Sequence, residues 1–198
     1  MTETAPLPAT NETPGPGTTG HAPTSDQATS HPTSSDPTTS DRTTGDPATG
    51  DDVLVETRDG ILVITLNRPH ARNAMTQAMA RCIAAALDTL DDDDGLTVGI
   101  ITGAGGAFCA GMDLKGFLRG ERPSIPGRGF GGVTEAPPRK PLIAAVEGWA
   151  LAGGFELVLA CDLVVAARGA RFGIPEVKRG LVAAAGGLLR LPERLPAT

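Results

Sequence analysis

The stretch Trp149-Ala-Leu-Ala-Gly-Gly-Phe-Glu156-Leu-Val-Leu-Ala-Cys-Asp-Leu-Val-Val-Ala-Ala-Arg-Gly-Ala-Arg-Phe-Gly-Ile-Pro-Glu176 decides the fold. It opens on a small-residue turn, Ala152-Gly153-Gly154, which leads into an apolar helix carrying Glu156. A strand-like run from Leu163 to Ala167 follows, and the stretch closes on Phe172-Gly173-Ile174-Pro175-Glu176. A glycine pair at a helix start lets a ligand approach the backbone. The first helical turn has no internal acceptors for its N–H groups, so they point outward as donors to an anion. Such a turn has the makings of half an oxyanion hole. Glu156 sits among apolar neighbours, where a carboxylate is costly unless it is hydrogen-bonded or protonated. On local grounds two readings stay open for it: an acid favoured by the helix dipole, or a group kept for chemistry.

Outward from this block the chain alternates strands and helices. Leu142 to Val146 reads as a short buried strand entering it, and Leu96 to Thr102 as a strand covered on both faces. Val53–Thr57 and Ile61–Leu66 are β-rich runs joined by Arg58-Asp59-Gly60, whose Asp-Gly pair is a hairpin signal. Between Thr76 and Leu90 the residues Met79, Ile83, Ala86, Leu87 and Leu90 fall at helical spacing. Downstream, Ala183 to Leu191 reads as a small-residue helix start and a packing helix. The alternation predicts an α/β domain over residues 53–198.

Three motifs then identify a family resemblance. Ala150-Leu-Ala-Gly-Gly-Phe-Glu156, followed by Cys161-Asp-Leu and by Phe172-Gly-Ile-Pro-Glu176, resembles the central signature of the crotonase superfamily, the enoyl-CoA hydratases and isomerases. Gly105-Gly-Ala-Phe108-Cys-Ala-Gly-Met-Asp-Leu114 resembles its F-x-A-G-x-D-[LI] turn. Leu66-Asn-Arg-Pro69 with Asn73-Ala-Met75 resembles its N-terminal N-R-P…N-A. The resemblance covers Val53 to about Leu195 and implies the ClpP/crotonase spiral of β-β-α repeats. It also implies helices beyond Leu195 that cap the acyl pocket and join a homotrimer or a dimer of trimers. This sequence does not contain them, and the leucines 188, 189, 191 and 195 are expected to be left uncovered.

The implied chemistry is hydration of a 2-enoyl-coenzyme A. Addition of water at the β-carbon pushes negative charge onto the thioester oxygen, so two backbone donors aimed at that oxygen are the main requirement. By position in the motifs these are the N–H groups of Met112 and Gly153. Glu156 and Glu176 match the two glutamates that handle the water and the α-carbon proton, and two carboxylates sharing a site tend to keep one proton between them. The resemblance lines the substrate and coenzyme A path with Ala110, Gly111, Asp113, Leu114, Lys115, Arg68 and Arg72. Surface roles for the cations are an equal reading. A double-bond isomerase would need only Glu176, and an inactive remnant or a binding module would need neither acid. No cofactor is implied beyond coenzyme A as part of the substrate, and no metal.

Composition excludes other classes. With 198 residues, net charge −6 and few aromatic residues, the chain has no footprint for nucleic acid. Met1 to Pro8 has neither the basic start nor the apolar core of a secretory segment, and no apolar run reaches membrane-spanning length. Cys82, Cys109 and Cys161 suit reduced thiols in the cytoplasm. Residues 1–52, almost wholly Thr, Pro, Ser, Asp, Gly and Ala with a five-residue near-repeat, are expected to be a disordered tail. Asp91 to Asp94 reads as a solvated turn, and residues 116–140 as a mobile lid or binding loop. Gly127-Arg-Gly-Phe-Gly-Gly132 fits G-x-G-x-x-G but has no strand before it and no helix after, so it is rejected as a nucleotide fingerprint. Trp149 is expected to pack beside the Ala152-Gly153-Gly154 turn.

Overall fold

The structure, a computed structural model, describes residues 52–195, so the expected tail lies outside the described residues except for Asp52. Strands β1 (Val53–Arg58) and β2 (Ile61–Leu66) form the hairpin that Asp59-Gly60 predicts. Both turn residues have positive φ, 51° and 79°, as a tight turn between twisted strands requires. Along β2 the alternation turns Leu62, Ile64 and Leu66 fully into the core. The hairpin starts a five-stranded sheet of order β1-β2-β3-β6-β8, in which β2, β3 (Val98–Gly103), β6 (Leu142–Val146) and β8 (Leu163–Ala166) run parallel.

A second row of short parallel pairings lies after these strands. Met75 bridges Met112, Cys109 bridges Ala150 of β7 (Trp149–Leu151), and β7 pairs with β9 (Arg171–Gly173). Helices follow the short segments: α1 (Gln77–Asp92), α2 (Leu114–Leu118), α3 (Gly153–Ala160) and, after a 3-10 turn at Glu176–Arg179, α4 (Gly187–Arg194). Each turn is thus a long strand, a short extended segment and a helix, which is the expected β-β-α spiral. One consequence matters for function: the points where short segments give way to helices stack beside one another.

Helix α1 forms because its apolar positions share one face, with Met79, Ile83, Leu87 and Leu90 fully buried. Thr76 caps its start, accepting from Met79 N at 3.2 Å, an interaction worth about 1 kcal/mol. The helix runs to Asp92, and the acidic run is not simply a solvated turn. Asp91 accepts from the backbone N–H groups of Arg139 and Lys140 at 2.9–3.0 Å and so pins the entry to β6.

The segment 116–140 corrects the expectation of a mobile loop. It holds a small hairpin, β4 (Ser124–Ile125) with β5 (Gly129–Phe130), and buries Phe130, Val133 and Thr134. Its glycines permit contact: a Cβ on Gly131 would lie 2.5 Å from Leu157, and one on Gly132 would lie 2.9 Å from Ala84. Trp149, three residues before the Ala152-Gly153-Gly154 turn, is 46% exposed, with the Arg171 guanidinium over its ring at 5.4 Å. Strand β8 exposes Leu163, Val164 and Val165, and Leu188, Leu189 and Leu195 are exposed as expected, while Leu191 is half-buried.

Candidate active site

The three motifs meet through backbone hydrogen bonds. Arg72 O accepts from Ala110 N (3.0 Å), Met75 N donates to Gly111 O (2.7 Å) and Asp113 N donates to Met75 O (2.9 Å). On the other side Cys109 N donates to Trp149 O, Leu151 N donates to Cys109 O, and Ala152 N donates to Gly173 O. Segments about a hundred residues apart in sequence are therefore held in one row.

In that row the neighbours of Met112 make the bonds to Met75, so the N–H of Met112 is directed away from Met75. Gly153 is the first residue of α3 and its N–H has no acceptor within the helix. Gly153 N lies against the turn before Met112: a Cβ on Gly111, whose φ is 96°, would sit 3.4 Å from Gly153 N and 2.9 Å from the Ala152 Cβ. Ala152 holds the turn at φ 53°, ψ −129°, a conformation that costs a residue with a Cβ about 1–3 kcal/mol. The Phe130 ring fills the space a Cβ on Gly153 would take, with ring carbons 2.5–3.0 Å from that point.

Glu156, one turn into α3, is only 3% exposed. Its Oε1 accepts from Ala185 N (2.7 Å) and Gly187 N (2.9 Å), across the start of α4. Glu176 is also buried, and its Oε2 has no hydrogen-bond partner; only Thr134 Oγ1 shares that state among the buried side-chain atoms of the described residues. Burial pushes the Glu176 carboxyl above the ordinary glutamate range, with its own backbone N–H acting against this and the charge of Glu156 adding to it.

The elevated Glu176 value has a consequence for stability. The folded state favours the protonated form, so this contribution is fully present below the unfolded value near ~4.3 and is lost as pH rises through the folded value. Glu176→Gln is therefore expected to raise the melting temperature at pH 8, by about 2–4 °C for each kcal/mol relieved, and to give no gain near pH ~4. Thermal denaturation of the two proteins across that range checks this. A gain that grows toward acid pH would contradict it.

The residues of the expected coenzyme A path divide into two groups. Gly111 and Ala110 lie in the row itself, and Leu114 and Lys115 are exposed at the start of α2. Arg68 and Asp113 instead engage each other. Arg68 Nη1 contacts Asp113 Oδ2 at 3.0 Å and donates to Ala74 O, while its Nε meets Asp52 at 3.2 Å. Asp113 also caps α2, accepting from Lys115 N and Gly116 N; these bonds and Arg68 hold its carboxyl below the usual range against the effect of burial. Their joint role is to fix the turn that carries Met112.

Asn73 belongs to the same scaffold. Fully buried with φ 54°, it accepts from Arg68 N (2.8 Å) and donates to Ala104 O (2.9 Å) and Ala107 O (2.7 Å). Asn73 was legible only as part of a motif, because the two carbonyls that its amide reaches lie 31 and 34 residues away. Asn73→Ala leaves these groups unpaired and keeps a left-handed residue without its local compensation. It is expected to cost about 2–4 kcal/mol, measured as a lower urea midpoint.

The spiral, the row of small-residue turns and the acids beside it define the crotonase class of fold. A family model described as enoyl-CoA hydratase/isomerase matches residues 56–198. The chain is 44% identical over 158 residues to an enoyl-CoA hydratase of Mycobacterium tuberculosis, covering 74% of this chain and 58% of that one. It is 48% identical over 143 residues to a mevalonyl-coenzyme A hydratase of Beauveria bassiana, covering 66% and 51%. A solved enoyl-CoA hydratase structure from Mycobacterium marinum superposes with a TM-score of 0.72 at 67% identity, covering 74% and 58%. The chain belongs to the enoyl-CoA hydratase/isomerase family, and it spans about half the length of the curated relatives it matches. Among the described residues no group of three or more His, Cys, Asp or Glu could hold a metal ion, and no helix is long and apolar enough to cross a membrane.

Proposed function

We propose that this chain carries the reaction centre of an acyl-coenzyme A hydratase, which adds water across the double bond of a 2-enoyl thioester. The observation that carries the reading is the pair of buried acids beside the Gly153 turn, Glu156 oriented through one oxygen and Glu176 with an Oε2 that no protein group engages. In this reading the thioester oxygen lies between the N–H groups of Met112 and Gly153. Water stands between the two acids. Glu156 takes one of its protons as the oxygen bonds to the β-carbon, and Glu176 gives its proton to the α-carbon. The proton gained by Glu156 restores Glu176, so the pair ends as it began.

Isomerisation would employ Glu176 alone as a shuttle. The two backbone donors spent on orienting Glu156 favour hydration. Coenzyme A enters as part of the substrate, and this acid-base chemistry needs no separate cofactor. The exposed apolar strand β8 and the leucines of α4 support association into a trimer or a dimer of trimers. The same exposed surface supports the alternative of a non-catalytic remnant. Cys109 and Cys161 are buried and not joined in a disulfide, which suits a reducing compartment such as the cytoplasm. The test is loss of enoyl-thioester absorbance on adding the purified chain to 2-enoyl-coenzyme A. Turnover of a 3-enoyl isomer without hydration would favour the isomerase, and neither reaction would favour the remnant.

A further inference from the structure

Glu156 takes its orientation from a turn about thirty residues further on. Its Oε1 is consumed by the N–H groups of Ala185 and Gly187, which leaves Oε2 as the oxygen for a reacting water. The two amides converge because Gly186 between them adopts φ 101°, a left-handed conformation that favours glycine. A Cβ on Gly187 would press to 3.1 Å from both Cγ and Oε1 of Glu156, so the approach is close on both sides. Yet α4, which begins at this turn, is a weak anchor by itself. It is eight residues long, contains Pro192 and exposes Leu188 and Leu189.

Arg190 supplies the missing restraint. Its Nη2 donates to Thr134 O at 2.7 Å and its Nη1 to Ala185 O at 3.4 Å. Its guanidinium lies over Gly186 in the space a Cβ there would need, and its own amide donates to Gly186 O at 2.9 Å. Thr134 is buried and its N–H donates to Phe130 O, and the Phe130 ring backs Gly153. One side chain therefore joins the turn that orients the acid to the segment that backs the proposed oxyanion donor. We infer that Arg190 is a positioning residue that locks the Ala185–Gly187 turn onto Glu156 and sets it against the Phe130–Thr134 segment. A planar fork of donors can reach two carbonyls at once, which a lysine ammonium on its flexible stem does not reproduce. Small displacements of a positioned acid cost rate out of proportion to their size.

The kinetic part of this inference rests on the hydratase reading, and the structural part does not. Residue-resolved amide hydrogen exchange on the full chain tests the latter, comparing wild type with Arg190→Ala and Arg190→Lys. The expected result is exchange at Ala185 and Gly187 at least about tenfold faster in Arg190→Ala, with Ile64 and Ile101 unchanged and Arg190→Lys in between. In the hydration assay kcat is expected to fall about 10- to 100-fold with KM within about twofold. Unchanged protection of Ala185 and Gly187 would overturn the inference, as would a uniform rise in exchange over all amides. If Arg190→Ala does not fold, Arg190→Lys carries the same comparison, and wild-type protection at both amides overturns the inference there too. A wild type that hydrates no enoyl thioester would sink the hydratase reading while the exchange comparison still decides the role of Arg190.

Discussion

Glu156→Gln and Glu176→Gln are each expected to lower hydration of a 2-enoyl thioester by about 10²–10⁴-fold while acyl-coenzyme A binding persists. The fold should tolerate both changes for reasons visible at each site. At position 156 the Gln carbonyl oxygen can still accept from Ala185 N and Gly187 N, so the turn keeps its partner. What is lost is the basic oxygen that would take a proton from water. At position 176 a neutral amide suits surroundings that already favour the protonated acid. What would be lost there is the proton that the proposed mechanism delivers to the α-carbon. The pair also predicts a pH effect. The charge of Glu156 helps to raise the Glu176 carboxyl, so in Glu156→Gln the residual activity should fall away at lower pH than in wild type. The deciding measurement is a side-by-side assay of the three proteins on 2-enoyl and 3-enoyl thioesters. Hydration by Glu156→Gln equal to that of wild type would remove the proposed role of Glu156. Loss of 3-enoyl turnover in Glu176→Gln alone would mark an isomerase.

Where sequence was a good guide, the reason is local. Asp59-Gly60 determines its turn whatever surrounds it, and the spacing of Met79, Ile83, Leu87 and Leu90 determines which face of α1 is buried. The glycine pair at 153–154 likewise marks a helix start with open donors. What sequence concealed depends on residues far apart in the chain. The glycines at 131 and 132 look like flexibility and are in fact points of contact with α1 and α3, a fact that only the arrival of Leu157 and Ala84 decides. Arg68 looks like a cation available to a phosphate, but folding brings Asp113 and the Ala74 carbonyl to it first. Ala152 gives no sign in sequence of its positive φ, because nothing about an alanine announces strain that the neighbouring pairings impose. The bonds from Ala185 and Gly187 to Glu156 fall in the same class, since a small-residue run reads as a helix start and not as the holder of an acid.

Gly153→Pro is expected to lower hydration by a further ~10²–10³-fold, about 3–4 kcal/mol, beyond the loss seen in Gly153→Ala. The comparison between the two variants is needed because position 153 is crowded. Any Cβ there meets the Phe130 ring at 2.5–3.0 Å, so both substitutions push on that ring, and only proline also removes the N–H. A proline at the first helical position is otherwise compatible with α3, whose first N–H has no partner inside the helix. Phe130→Leu is introduced into both variants so that the ring no longer meets the Cβ, and equal melting temperatures of the two are required as a control, because proline also restricts Ala152, which already sits in an unusual conformation. In that background the difference between proline and alanine at 153 reads the donor. The effect should fall on kcat more than on KM, because charge gathers on the thioester oxygen in the transition state and is smaller in the bound substrate. Equal kcat for the proline and alanine variants would mean that the oxygen is stabilised elsewhere, and the Gly153 donor would have to be abandoned. A large difference confined to KM would place Gly153 in substrate binding without a share in stabilising the enolate.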